Sequence, residues 1–196
     1  MGKGNTEAKE RFYAEIWPHR ATVLRAARYF TSSDADADDL AQDALMKAFS
    51  SLDSFERGSN AKAWLMTILR HTHIDRVRSR HSSDVSLELL QVDVPDDHQP
   101  ERNLDAWQNA EQALQAFGDA EIITALKHLP HDICWTLLLV DVEGIDDRDA
   151  AEVLKVPAGT VKSRLHRGRR MLREALAPLA KDRHLGANED AQSKYD

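Results

Sequence analysis

Apolar residues recur along this chain at three- and four-residue spacings, and no stretch alternates like a half-buried strand, so the pattern predicts helices throughout. The spacing predicts an opening helix over Glu7–Phe30, with Phe12, Ile16, Val23, Leu24 and Ala27 facing inward. Pro18 interrupts it and should kink or restart it, because a mid-helix proline loses a backbone bond. Thr31-Ser32-Ser33-Asp34 reads as a break and N-cap, and Asp36, Asp38 and Asp39 suit the positive end of the helix that follows. That helix carries Leu40, Ala44, Leu45, Ala48 and Phe49 as its buried stripe. After a turn at Arg57-Gly58-Ser59-Asn60, a further helix runs to about Arg80, with Trp64, Leu65, Ile68, Leu69 and Thr72 on its core face and basic last turns. Three packed helices ending near His81 make a first unit.

The stretch from Ser82 to Pro100 is polar and acidic and holds two prolines, the composition of a flexible linker. A short amphipathic helix is expected over Leu104–Phe117, broken by Gly118-Asp119. The second unit opens with Glu121–Leu129, turns at Pro130 and continues through the apolar Ile133–Val142, which Glu143-Gly144 closes. Asp147–Leu154 follows, then a tight turn at Lys155-Val156 and a long basic helix from Pro157 to about Leu179. The expected domains are residues 1–81, a linker over 82–118, a second domain over 119–184 and a disordered tail over 185–196. The fold class is all-α, two small helical domains joined by an acidic linker.

Charge changes this picture. The formal net charge is −7, which argues against a free-standing DNA binder. Yet Ala158 to Arg173 holds six basic residues and no acid, whereas Ser82 to Glu121 holds ten acids against Arg102 alone. The sequence segregates its charge. Cys134 is the single cysteine, set in an apolar run and expected to be buried; with neither a disulfide nor a Cys/His zinc pattern, the chain reads as cytoplasmic. No run reaches membrane-spanning length, and no apolar leader opens the chain.

The most specific chemistry lies in Gly144–Leu176, which has the logic of a helix-turn-helix. Ala151 is small where two helices must cross, Leu154, Val156, Val161 and Leu165 form their apolar seam, and Pro157 suits a first helical position. The second helix would enter the major groove by its N-terminal residues. Lys162, Ser163, His166 and Arg167 share a face opposite Val161 and Leu165, and Lys and Arg suit guanine O6 and N7. Thr160 and the first amides suit phosphate, and Arg169, Arg170 and Arg173 suit phosphate or partner contacts. His71 and Asp75 share a helical face near His73, but two ligands without a third and fourth make a poor metal site, and no metal or other cofactor is expected.

The run GTVKSRLHRGRRMLR, Gly159 to Arg173, preceded by DVEG at Asp141–Gly144, resembles the last domain of extracytoplasmic-function (ECF) sigma factors of the sigma-70 family. DADADDLAQDALMKAFSSLDSF (Asp34–Phe55) and AKAWLMTILRHTHIDRVRSR (Ala61–Arg80) resemble that family's polymerase-binding and promoter-melting domain, in the family's order. AKAWLMTIL and SRLHRGRR are similar to its stress- and redox-responding subgroup. The resemblance implies an alternative sigma factor, not an enzyme, that binds core RNA polymerase and double- and single-stranded promoter DNA. It assigns Asp39, Leu40, Gln42 and Asp43 to the clamp coiled coil of the largest polymerase subunit. Thr160, Lys162, Ser163, Arg164, His166, Arg167, Arg169 and Arg170 go to the −35 element. Phe55, Ser59, Asn60, Arg70, His71, Arg76, Arg78 and Arg80 go to a melted −10 element. Phe55 suits a base-stacking role and a core plug equally, and Trp64 suits the core. His71 stands where the family most often has Asn. An anti-sigma partner is a further implication.

Two other classes fit parts of the chain. A free-standing helix-turn-helix regulator would leave the Asp34–Phe55 surface unexplained. A sigma mimic that only binds an anti-sigma factor should lose the basic face that Lys162 and Arg167 retain. No nucleophile–base pair, phosphate-cradling glycine loop or paired-acid motif points to an enzyme.

Overall fold

The computed structural model describes residues 3–80 and 119–182, with side chains described over 6–80 and 123–177. The expected linker over 82–118, its Leu104–Phe117 helix and the tail over 185–196 lie outside the described residues. Helix α1 (Lys3–Arg11) runs into a π-helical turn at Phe12–Ile16 and a 3-10 turn at Trp17–His19, then restarts as α2 (Arg20–Phe30). Pro18 is the physical reason, since it cannot donate to the preceding turn. Phe12, Ile16, Val23 and Ala27 point into the core, with Leu24 at its edge.

Helix α3 (Asp34–Ser50) starts at Ser33, whose Oγ accepts from the Asp36 amide at 3.1 Å. Its buried stripe is Ala37, Leu40, Ala41, Ala44 and Ala48. Small residues dominate it, so α2 and α4 approach closely. Phe49 departs from the expectation: it lies one position past the stripe, 39% exposed, with its edge on Phe12 at 5.2 Å. Helix α4 (Ala61–Arg80) is capped by Asn60, whose Oδ1 accepts from the Ala63 amide at 3.1 Å, after a turn in which Gly58 takes φ +83°. Leu65, Leu69 and Thr72 are buried as expected, and so are Met66 and His73. Trp64 and Ile68 are half-buried.

The second unit comprises α5 (Asp119–Lys127), α6 (His131–Leu137, extended by a π-helical turn at Leu138–Val142), α7 (Asp147–Leu154) and α8 (Ala158–Asp182). Gly144, at φ +65°, ends the α6 segment, and Asp146 caps α7 by accepting from the Asp149 amide at 2.8 Å. Helices α6 and α8 cross at Gly168, where a Cβ would meet Ile133 Cγ2 at 2.6 Å and Leu137 at 3.0 Å. Any larger residue there would force the Ile133 and Leu137 side chains aside. Cys134 is buried as expected, and burial pushes its thiol up to about 12. Among the described residues no helix is long and apolar enough to cross a membrane.

The two units pack on one another. Phe30 of α2 stacks on Trp135 of α6, with ring centroids 4.0 Å apart and planes within 11°. Beside this pair, His73 of α4 stacks on His131 of α6 at 5.1 Å. Arg25 of α2 forks onto Glu143, Nε and Nη2 each donating at 2.8 Å, and Lys62 of α4 donates to the Glu143 carbonyl at 2.7 Å. The Glu143 side chain is almost wholly buried, so the fork supplies its counter-charge.

Burial, helped by neighbouring positive charge, lowers both His73 and His131 to about 4. Both are neutral at pH 7, and His131 Nε2 accepts from Trp135 Nε1 at 3.3 Å. The unfolded chain binds these protons from about pH 6.5 downward and the folded chain does not. Stability is therefore complete above about pH 6.5 and is lost as pH falls toward 4. Urea denaturation at pH 7 and pH 5 should differ by about 2 kcal/mol per histidine, on the order of 4 kcal/mol for the pair, and His131→Gln should roughly halve that dependence. A midpoint independent of pH over this window would contradict the neutral pair.

Candidate nucleic-acid and polymerase interface

The recognition geometry is built by α7, its turn and α8. Ala150 and Ala151 are buried at the crossing, with Leu154, Val161 and Leu165 beside them and Val156 half-buried. Lys155 takes a left-handed conformation (φ 58°, ψ 45°), which reverses the chain while its amide and that of Val156 bond back to α7. Pro157 falls one residue earlier than expected, just before the helix, where its carbonyl accepts from the Thr160 and Val161 amides.

Lys162, His166 and Arg170 are exposed on one side of α8, with Thr160, Ser163 and Arg167 half-buried along its margin. Ser163 Oγ donates to the Thr160 carbonyl at 3.1 Å. Two expected DNA contacts turn the other way. Arg164 is 18% exposed and donates to Asp132 of α6 at 2.8 Å. Arg169 forks onto Asp141 at 2.7 and 3.0 Å, and that hydrogen-bonded pairing raises it. Both guanidiniums fasten α8 to the α6 segment, because carboxylates wait there at the right height. The sequence shows their charge but not these partners, which lie 32 and 28 residues away.

In the first unit the expected −10 residues also divide. Phe55 is 4% exposed, packed on Trp64 at 5.0 Å with the Arg11 guanidinium 5.6 Å above its ring. It is a core plug in this conformation. Ser59 Oγ donates to the Glu56 carbonyl at 2.7 Å. Arg78 and Arg80 are exposed, Arg80 within 3.5 Å of Asp36. Arg76 binds Asp43 and donates to the Asp39 carbonyl at 2.8 Å. Arg70 and His71 are half-buried beneath the second unit, and burial lowers both.

Asp39, Gln42 and Asp43 are exposed on α3. Leu40 is fully buried, so it supports that surface from below and presents nothing to a partner. Next to Gln42 lies a groove of about 710 Å³ that periodicity did not reveal, floored by Phe12, Leu45 and Phe49 and walled by Tyr13, Trp17 and Met46. Met46 is 61% exposed and Tyr13 50%. The available signal was an apolar set on α3 wider than one buried stripe needs.

The structure thus combines a helix-turn-helix that has an exposed cationic face with a helical unit that carries exposed acids and an apolar groove. The family comparisons sharpen this. Residues 17–83 match the model of Sigma-70 region 2, and residues 119–172 match Sigma-70, region 4. The ECF RNA polymerase sigma factor EcfG of Rhodopseudomonas palustris is 35% identical over 76% of each chain. SigE of Mycolicibacterium smegmatis, also an ECF RNA polymerase sigma factor, is 32% identical over 81% of this chain and 59% of its own length. Among solved structures, the sigma factor RpoE from Bartonella quintana, in complex with the anti-sigma factor NepR, is 34% identical with a TM-score of 0.59, over 86% of this chain and 96% of that one. CnrH, in complex with the cytosolic domain of CnrY, shares the fold at 22% identity, TM-score 0.61, over 89% of this chain and 95% of that one. The chain belongs to the sigma-70 family of RNA polymerase sigma factors, in its ECF group.

Phe55 offers a direct check on the site. Phe55→Ala should destabilise the first unit by roughly 3–5 kcal/mol in urea denaturation, whereas Phe55→Leu should cost less than about 1.5 kcal/mol. A neutral Phe55→Ala would mean that the ring is not packed in the core.

Proposed function

We propose that this chain is a cytoplasmic promoter-selecting subunit, supplying sequence choice while core RNA polymerase supplies catalysis. Helix α8 reads the −35 element as duplex, with Lys162 and Arg167 at base edges, His166 beside them, and Arg170 on phosphate. The loop before α4 and the polar side of α4, through Asn60, His71, Arg76, Arg78 and Arg80, take the melted −10 element. Asp39, Gln42 and Asp43 meet basic side chains of the polymerase clamp. The observation that carries this reading is the pairing, in one chain and in order, of both sigma-70 regions with an exposed cationic face on α8. Two modest sites on one tether gain from effective concentration once polymerase engages both.

An anti-sigma factor is a further proposed partner, supported by the complexes in which RpoE and CnrH were solved. Such a partner would compete with polymerase for the same surfaces. Against a free-standing regulator stands the net charge of −7, which disfavours tight DNA binding without polymerase. Against a sigma mimic stands the retained face of Lys162 and His166.

Transcription with purified core polymerase, on a template pool with randomised −35 and −10 blocks, tests the proposal. The wild-type chain should enrich one bipartite sequence. Lys162→Ala should relax one −35 position by about 1–3 kcal/mol of discrimination. Unchanged selection would remove Lys162 from the readers. Asp39→Ala with Gln42→Ala should weaken binding to core polymerase with helix content intact; unchanged affinity would count against that docking surface.

A further inference from the structure

Helix α8 is fastened to the α6 segment at two heights. Arg164 Nη2 donates to Asp132 in the first turn of α6, and Arg169 forks onto Asp141 at the far end of the segment. The two acids stand more than two helical turns apart. Between the ion pairs, Gly168 lies directly against Ile133 and Leu137. Two helices that touch at one close crossing can still roll about it. Charged pairs on either side of the crossing resist that roll, and they hold Lys162, His166 and Arg170 on one exposed line.

The same pairs change what α8 presents to DNA. Of the six cations between Ala158 and Arg173, these two are matched by acids of the α6 segment. Binding to any duplex regardless of sequence is driven by phosphate neutralisation and counterion release, whereas preference for one sequence comes from contacts to base edges. A guanidinium held by a carboxylate adds to neither. Arg169 has the more room to move, since its side chain keeps twice the exposure of Arg164. It also adjoins Arg170, the residue proposed on phosphate. Asp147 of α7 adds a smaller attraction to the same guanidinium.

Resting on the promoter-selecting reading, we propose that Asp141 determines specificity for the −35 element through Arg169: it withholds that guanidinium from the phosphate backbone and, with Asp132, sets the roll of α8. Both acids are positioning residues, and neither touches DNA. Their effect is a lower affinity for arbitrary duplex and a sharper preference for one sequence.

Holoenzymes assembled from core polymerase and full-length chains carrying Asp141→Asn, Asp141→Glu, Arg169→Gln or Asp141→Asn with Arg169→Gln test this. Each is measured for binding to a promoter duplex bearing the −35 sequence that the wild-type chain selects. A copy with that block scrambled is measured beside it, over a series of salt concentrations. Asp141→Asn should steepen the fall of log affinity with log salt by about 0.9 on both duplexes, the signature of one added phosphate contact. It should also narrow the preference between the duplexes several-fold. Asp141→Glu keeps the charge and should keep the wild-type slope. Arg169→Gln should leave the slope where it is, because no phosphate contact is lost, and the double variant should lack the extra slope. A merely structural Asp141 would weaken binding to both duplexes and steepen neither, which overturns the inference. So does an Arg169→Gln chain whose slope shallows by about 0.9, a result that stands even if Asp141→Asn misfolds. Either outcome leaves the promoter-selecting function standing. A wild-type holoenzyme indifferent to the −35 block overturns that function, and the inference with it.

Discussion

Helix α4 has two obligations, and the rest of the structure follows from how it meets them. One side completes the first core through Leu65, Met66 and Leu69. Another side, through Lys62 and His73 with Arg70 and His71 between, lies against the second unit. There Asp149 accepts from Asn60 and Asp132 lies near Arg70, so the second unit sets acids against the basic and amide groups of α4. The result is a two-unit body held through the Phe30–Trp135 stack and the Arg25–Glu143 fork.

Charge pairing is what separates groups held for structure from groups held for partners. Arg164 and Arg169 are as basic as Lys162 and Arg170, yet they are fixed on Asp132 and Asp141 and orient α8 against α6. In the first unit Arg76 is similarly fixed on Asp43, a member of the proposed polymerase surface. A partner that engages Asp43 therefore competes with Arg76, and the proposed docking surface and the proposed strand-reading side of α4 share one ion pair. Surface ion pairs contribute little to stability. Their value here is in position.

The sequence carried the local features well. The break and N-cap within Thr31–Asp34, the turn at Arg57–Asn60, the closure at Gly144 and the turn at Lys155-Val156 depend on near neighbours, and they stand where spacing put them; the structure then singles out Ser33 and Asn60 as the caps. What depended on distant partners was not legible. Arg25 and Glu143 are 118 residues apart, and no periodicity links them. Phe55 suited two roles until Trp64 and Arg11 were seen to enclose it. Leu40 shares its neighbours' place in the sequence but not their face of the helix, and its burial takes it off the contact surface. The α3 groove escaped because Leu45 and Phe49, which line it, read as part of the buried stripe.

The most direct measurement is the distance between the units in the free chain. Dyes placed through Asp53→Cys and Glu174→Cys, both exposed, would label selectively, since the Cys134 thiol is buried and protonated. Energy transfer should be high and narrowly distributed, because the Phe30–Trp135 stack and the Arg25–Glu143 fork hold the second unit on the first. Transfer that is low or broadly distributed would contradict that packing.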